Sequence, residues 1–303
     1  MNMKPKRILF PTDLSPNAET VLGHALFHAE LHEAELHILH TVSVKGNESH
    51  SYLPDPEQVL EKMEESARIQ IKESVERHKD SVFKILEKTS RGDSIPDEIM
   101  KYIQDHEIDL TIIGNHGRQG IKHFFLGSVA EEVVRMAACP VMIIRATEQG
   151  MTARKISKIL APVDFSEQSK LALIHASKLA RIHNARLVVC HIIQNSFYPA
   201  GPDASIQPIN ELLPDLETSR KELLGSLTSK IIDSHVDLVC QIDIGNAYQE
   251  IVETAKREEA DLIVMGSHGY SGLAHLVLGS TAERVMRMAP CPVLVVKLPT
   301  DQT

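Results

Sequence analysis

The stretch GNHGRQGIKHFFLGS, from Gly114 to Ser128, has a second copy in the same chain, GSHGYSGLAHLVLGS, from Gly266 to Ser280. In both copies a glycine, two residues, a glycine and nine residues precede a final Gly-Ser pair. Each copy follows an apolar segment and leads into a segment with helical periodicity. Because a glycine loop that opens a helix presents backbone N–H groups to anions, the pattern predicts two related phosphate sites.

Other segments of the chain repeat with nearly the same offset. RILFPTDLS at 7–15 returns as KILAPVDFS at 158–166, and ELHILHTV at 35–42 returns as RLVVCHII at 186–193. The offset of 151 or 152 residues indicates that one unit has been duplicated in tandem. We therefore expect two domains, 1–147 and 155–303, separated by a polar joint that contains a glycine.

Within the first copy, segments with strand patterns alternate with segments of helical periodicity. This alternation predicts an α/β fold with a doubly wound parallel sheet and right-handed crossovers. The predicted elements are strand 8–10, helix 17–31, strand 36–42, helix 57–78, strand 82–87, helix 95–106, strand 110–114, helix 128–138 and strand 141–145.

The composition is typical of a globular protein and disfavours nucleic-acid-binding, membrane and disulfide-rich classes. Of the 303 residues, 43% are hydrophobic and 24% are charged, which is typical of a soluble globular chain. A net charge of −9 disfavours a general nucleic-acid surface, and no apolar run reaches the ~20 residues of a membrane span. The apolar stretch after the basic start is too short for a secretory leader. Four widely spaced cysteines favour a reducing cytoplasm over a disulfide framework or a zinc ribbon: Cys139, Cys190, Cys240 and Cys291.

The glycine loop offers specific groups to a phosphate. Gly114 lets a ligand approach the end of a strand, and Gly117 permits a positive φ in a tight turn. Gly127 and Ser128 are predicted to begin the next helix, where free N–H groups favour anions and the Ser128 hydroxyl can cap or donate. The alternative is that the glycines only form turns and Ser128 only caps the helix.

Asp13 and Asp164 occupy matched positions at the end of the first strand of each copy. In an open doubly wound sheet, ligands bind beyond the carboxyl ends of the strands, at the point where the strand order reverses. A carboxylate there suits hydrogen bonding to ribose or adenine, or contact with a metal. The alternative is that Asp13 and Ser15 cap the first helix.

The paired motifs P-x-D-x-S and G-x2-G-x9-G-S resemble the universal stress protein family, in its ATP-binding subclass. The resemblance covers nearly the whole chain, twice, as in the tandem members of that family. It implies that each half is a five-stranded parallel sheet of order 3-2-1-4-5 flanked by helices. It also implies an intramolecular pseudo-dimer in which the last strands, 141–145 and 293–297, pair antiparallel, because exposed edge strands invite pairing. Solution scattering from two separated, mobile units would contradict the pseudo-dimer.

The resemblance further implies which residues bind nucleotide. In the first copy, adenine and ribose would lie against Pro11, Thr12, Asp13, Thr41 and Val42, and the phosphates against Gly114, His116, Gly117, Gly127, Ser128 and Val129. The matching positions in the second copy are Pro162, Val163, Asp164, Ile192, Gly266, His268, Gly269, Gly279, Ser280 and Thr281.

The two loops differ in their interiors, which predicts sites of unequal affinity. Asn115 stands where the second copy has Ser267. Arg118 and Lys122 give the first loop positive charge, whereas the second has Tyr270 and Leu273. Two large aromatic residues, Phe124 and Phe125, also precede the Gly-Ser pair of the first loop.

A histidine stripe is the main candidate for a metal site. His24, His28 and His32 recur at helical spacing, so two of them can bridge a divalent cation. We interpret the stripe instead as a solvated polar edge, because the second copy has only His175 and His183 there. No metal site is therefore predicted. No P-loop and no GxSxG nucleophile elbow is present, so no catalytic residue is assigned either.

These features favour a cytoplasmic stress-response protein that binds ATP, with Mg²⁺, in two sites and acts as a nucleotide-dependent regulator. One alternative is a slow ATPase or autophosphorylating enzyme in which Asp13 holds Mg²⁺. Another is a nucleotide-free scaffold. The expected partners are adenine nucleotide, an unidentified protein and, as an open alternative, a second copy of the tandem chain. Neither nucleic acid nor membrane insertion is expected.

Overall fold

The computed structural model describes residues 4–44, 55–77, 83–115, 126–145, 155–194, 197–200, 205–208, 215–269 and 278–298. The chain divides into two compact units, the first up to Arg154 and the second from Lys155 to Leu298. Within the described part of the chain, no helix is both long and apolar enough to cross a membrane.

The first unit alternates strands and helices along the chain. Its elements are β1 (Arg7–Pro11), α1 (Pro16–His32), β2 (Glu35–Ser43), α2 (Pro56–Glu76), β3 (Ile85–Gly92), α3 (Ile95–Asp105), β4 (Leu110–Gly114), α4 (Ser128–Met136) and β5 (Val141–Ile144). The strands pair in parallel in the order β3-β2-β1-β4-β5. This is the predicted order 3-2-1-4-5. The third strand begins three residues later than the predicted strand 82–87.

The second unit repeats this plan with one addition. Its elements are β6 (Lys158–Pro162), α5 (Glu167–His183), β7 (Arg186–Gln194), β8 (Phe197–Ala200), β9 (Ser205–Pro208), α6 (Leu216–Ile231), β10 (Leu238–Gly245), α7 (Ala247–Arg257), β11 (Leu262–Gly266), α8 (Ser280–Met288) and β12 (Val293–Val296). The parallel order is β10-β7-β6-β11-β12, again 3-2-1-4-5. Strands β8 and β9 form a separate antiparallel pair that was not predicted.

Helices on both faces bury the central strands, which explains why these strands are continuous apolar runs. Ile8 and Leu9 of β1 are 0% exposed, as is Ile112 of β4. At the amino edge, Asp109 Oδ2 accepts hydrogen bonds from the backbone N–H groups of Lys6 and Arg7, at 2.8 and 3.0 Å. Each such charge-assisted bond helps to fix β1 beside β4.

The register between the first and fourth strands of each unit is short. In the second unit it covers only Leu262 with Ile159 and Ile263 with Leu160. The pairing ends before the carboxyl ends of β6 and β11, and the order of strands reverses at this point. A crevice is therefore expected between these two ends.

The interpretation of the histidine stripe as a solvated edge is wrong. His24, His28 and His32 are 6%, 4% and 4% exposed, and His175 and His183 are 5% exposed each. The reason is tertiary packing, because these rings share the buried part of their helices with small alanines. Burial lowers the pKa of His175 to about 4 and also lowers the pKa of His183, so both rings are neutral at neutral pH.

Candidate functional site

A cavity of about 420 Å³ opens at the carboxyl edge of the sheet in the second unit. This volume is in the range of small-molecule sites. The ends of β6, β7 and β11 form one side of the cavity, and the first turn of α8 forms another. All ten residues predicted for the second site line it: Pro162, Val163, Asp164, Ile192, Gly266, His268, Gly269, Gly279, Ser280 and Thr281. What the cavity binds stays a prediction.

Backbone strain in the turn after β6 positions Asp164. Phe165 has a φ of 69°, in the left-handed region that bulky side chains rarely adopt. In this turn Asp164 Oδ1 accepts hydrogen bonds from the backbone N–H of Ser166, at 3.0 Å, and from its hydroxyl, at 2.6 Å. The carboxylate is therefore held in one orientation at the wall of the cavity.

The first unit builds the same turn after β1. Leu14 has a φ of 60°, and Asp13 Oδ1 accepts a hydrogen bond from the backbone N–H of Ser15 at 3.1 Å. Nothing in the residue types of Leu14 and Phe165 indicates a left-handed backbone, so sequence reasoning missed this shared feature. Its one available signal was that both copies place a bulky apolar residue between the aspartate and the serine.

The capping alternative proposed for the first helix applies to the serine rather than to the aspartate. In the second unit the Ser166 hydroxyl accepts a hydrogen bond from the backbone N–H of Ser169 at 3.2 Å and so caps α5. In the first unit Ser15 occupies the N-cap position of α1 without a side-chain cap bond. Asp164 does not cap the helix, and its carboxylate, hydrogen-bonded to Ser166, lines the cavity.

Gly269 lies against Asp164 where the glycine loop begins. A Cβ built on Gly269 would be 2.4 Å from Asp164 Oδ2, so a side chain there displaces either the carboxylate or the loop. Gly269 does not adopt a left-handed φ. The constraint on this glycine is therefore close approach, which differs from the positive φ predicted at its counterpart, Gly117.

The helix after each Gly-Ser pair begins at the serine, in agreement with the start of the predicted helix 128–138. Gly127 is the N-cap of α4 and Gly279 is the N-cap of α8, which makes Ser128 and Ser280 the first helical residues. The prediction that Ser128 caps the helix is therefore wrong, because a cap residue precedes the first turn whose N–H groups it accepts. The Gly279 N–H donates to the Ser267 carbonyl at 2.9 Å and closes the base of the loop.

His191 lines the cavity and was not predicted as a site residue. Its Nδ1 lies 2.7 Å from the carbonyl oxygen of Val163, and His40 Nδ1 lies 2.8 Å from that of Thr12. Since a carbonyl only accepts, Nδ1 carries the proton in both rings. Burial lowers the pKa of His191, although the bond to Val163 opposes the shift. The available signal was the repetition of this histidine at matched positions of both copies.

Seven other lining residues were also not predicted from the sequence. Burial raises the pKa of the Cys190 thiol to about 12, so this thiol, which is 0% exposed, is neutral and is not a nucleophile. The remaining lining residues are Ser169, Gln194, Ala247, Ile251, Met265 and Ala282.

The first unit places its predicted residues on the corresponding elements. Pro11, Thr12 and Asp13 lie at the end of β1 and in its turn, Thr41 and Val42 are buried in β2, and Gly114 ends β4. Gly127 is the N-cap of α4, and Ser128 and Val129 are its first two residues. His116 and Gly117 lie outside the described residues, as do Arg118, Lys122, Phe124 and Phe125. The same applies to Tyr270 and Leu273, so the comparison of the loop interiors stays a prediction.

Comparison with known proteins agrees with this architecture. The sequence model of the Universal stress protein family matches residues 4–145 and again residues 155–297. A universal stress protein of Mycolicibacterium smegmatis is 24% identical over 294 residues, which is 96% of each chain. One from Methanocaldococcus jannaschii is 37% identical over 146 residues, covering 48% of this chain and 84% of the relative.

A solved structure shares the fold along the whole chain. The crystal structure of a universal stress protein from Archaeoglobus fulgidus aligns with a TM-score of 0.72 at 22% sequence identity. The alignment covers 96% of this chain and 98% of that one. The chain therefore belongs to the universal stress protein family and carries two domains of that family in tandem.

Proposed function

We propose that this protein binds adenine nucleotide, as ATP with Mg²⁺, in two related sites and acts as a nucleotide-dependent regulator in the stress response. The observation that carries the proposal is the cavity of the second unit, which is lined by both sequence motifs although they lie about a hundred residues apart. The first unit has the same strand order and the same strained turn before its first helix.

The chemistry of the cavity matches the parts of a nucleotide. The first turn of α8, at Gly279 and Ser280, offers N–H groups and the positive end of a helix dipole to phosphate. Asp164 is an acceptor and repels phosphate, so it suits ribose hydroxyls or, as a hard oxygen ligand, Mg²⁺. Val163 and Ile192 offer an apolar surface to adenine.

The lining residues support a regulatory role over rapid turnover. Among the described residues that line the cavity there is no lysine or arginine. Phosphoryl transfer depends on positive charge around the transferred group, which these residues do not supply. ATP then acts as a ligand that shifts a conformational equilibrium or the affinity for a partner.

Slow ATP hydrolysis is the second candidate, favoured by the fixed carboxylate of Asp164 beside the loop. Phosphate release, measured for the wild-type chain and for the double variant Asp13→Ala/Asp164→Ala, distinguishes the regulatory role from slow hydrolysis. Release that is lost in the double variant supports hydrolysis in these sites.

A cytoplasmic location is also part of the proposal. All four cysteines are free thiols, and three of them are buried. Free thiols are typical of a reducing compartment.

Isothermal titration of the purified full-length chain with ATP and Mg²⁺ tests the proposed function. We expect two nucleotides per chain, with Asp164→Ala weakening one site and the matched Asp13→Ala weakening the other. Absence of heat and of retained nucleotide at millimolar ATP refutes the proposal.

A further inference from the structure

The start of the phosphate loop of the second unit, residues 266–269, is tied to the first turn of α5 by one side chain. We propose that Gln168 is a positioning residue that pre-organises this loop, so that the second site binds the phosphates of a nucleotide more tightly than the first. The inference rests on the proposed nucleotide binding and specifies which group makes the two sites unequal.

The hydrogen bonds of Gln168 define the tie. Its Oε1 accepts from the Ser267 hydroxyl at 2.9 Å and from the backbone N–H of His268 at 3.1 Å. His268 Nδ1 lies 2.8 Å from Ser267 Oγ and 3.5 Å from Gln168 Nε2, so both side chains contact the same ring nitrogen. One amide oxygen thereby fixes the peptide between Ser267 and His268 and, through Ser267, the orientation of the His268 ring.

The backbone beside this tie leaves little room for movement. A Cβ built on Gly266 would lie 3.0 Å from Gln168 Cβ and 3.1 Å from its backbone carbonyl carbon. Ser267 is 1% exposed, and two residues later Gly269 packs against the Asp164 carboxylate. Gln168 therefore acts on the segment that runs from the end of β11 to the cavity wall.

The residues at the matching positions of the first unit differ, as far as the structure describes them. The position that matches Gln168 is Asn17, which is exposed and whose side chain makes no hydrogen bond to any residue that the structure describes. Asparagine is one methylene shorter than glutamine. Asn115 replaces Ser267 and is 0% exposed, so the hydroxyl that bridges to Gln168 in the second unit is also missing.

Pre-organisation gives the expected effect on affinity. A loop that is already ordered loses less conformational entropy when phosphate binds, and this smaller entropy cost makes binding tighter. Gln168 is not itself among the cavity-lining residues. Its removal is therefore expected to weaken binding of the phosphates while leaving the adenosine part of the site intact.

The test compares Gln168→Ala with the matched variant Asn17→Ala in the full-length chain, using ATP and adenosine as separate ligands in calorimetric titrations. We expect Gln168→Ala to weaken ATP binding at one of the two sites by on the order of tenfold and to leave adenosine binding within about twofold. Asn17→Ala should change neither. Without ligand, hydrogen exchange at Ser267 and His268 should rise in Gln168→Ala only.

Wild-type ATP affinity in Gln168→Ala overturns the inference, and so does an equal loss for ATP and adenosine. If the wild-type chain binds no adenine nucleotide, both the proposed function and the effect of Gln168 on affinity are refuted. The exchange measurement then still shows whether Gln168 orders the loop, so the two failures are distinguishable.

Discussion

Replacing Gly269 with alanine tests whether the phosphate loop and Asp164 form one site. The added Cβ would lie 2.4 Å from Asp164 Oδ2, so the two groups must separate by about 1 Å to reach ordinary van der Waals distance. The carboxylate cannot turn aside without losing the hydrogen bonds that Oδ1 accepts from Ser166. The loop, the carboxylate or both are therefore displaced in the variant.

A displacement of this size at a binding site is expected to weaken ATP binding at the second site by about tenfold to a hundredfold. The fold should be little affected, by less than about 1 kcal/mol in the free energy of unfolding, because the clash lies at the edge of the sheet. Titration calorimetry with ATP, together with denaturation by urea, measures both quantities.

Gly225→Ala is the matched control in the same unit. No atom lies within 4 Å of a Cβ built there, in α6, so this variant should gain about 0.5–1 kcal/mol of stability and keep its ATP affinity. Normal ATP binding by Gly269→Ala would refute the idea that Asp164 and the loop contact the same ligand.

Three further predictions concern stability, each measured by chemical denaturation. The pKa of a histidine in the unfolded chain is near 6.5, whereas the pKa of buried His175 is about 4, so the unfolded chain binds more protons between these two pH values. The free energy of unfolding should therefore fall by about 3 kcal/mol as the pH is lowered from 6.5 to about 4. His175→Leu should reduce this acid sensitivity; an unchanged pH slope contradicts the assignment. Asp261→Ala should cost about 1–3 kcal/mol, because its Oδ2 accepts two backbone N–H bonds at 2.8 and 3.0 Å; a neutral result rules out this anchor. Ser166→Ala should cost about 1 kcal/mol and the matched Ser15→Ala clearly less, since only Ser166 makes a cap bond; equal costs contradict the difference in capping.

The alternation of strands and helices could be predicted from periodicity, because β1 and β4 are short apolar runs between amphipathic segments. The strand order was implied by the resemblance to the universal stress protein family and is confirmed in both units. The start of β3 was misplaced because this edge strand, ILEKTSRG, is partly exposed and has no strict alternation. The β8–β9 pair was missed because its segments carry prolines, which favour a loop interpretation.

Side-chain environments were harder to predict than elements. The sequence shows that His24, His28 and His32 share a helical face but not that the face is buried, since burial depends on what packs against the helix. Gln168 belongs to no motif. Its role arises only when the fold brings it to His268, a residue 100 positions later. By contrast, the ten lining residues were implied by the resemblance to the universal stress protein family, whose two motifs can be located in each half of the chain.

Native mass spectrometry of the full-length chain, titrated with ATP and Mg²⁺, tests the central claim most directly by counting the adenine nucleotides that each chain holds. Our account predicts two per chain at saturation, falling to one in Asp164→Ala at a concentration that fills only the intact first site. A chain whose mass stays unchanged at millimolar ATP would contradict it.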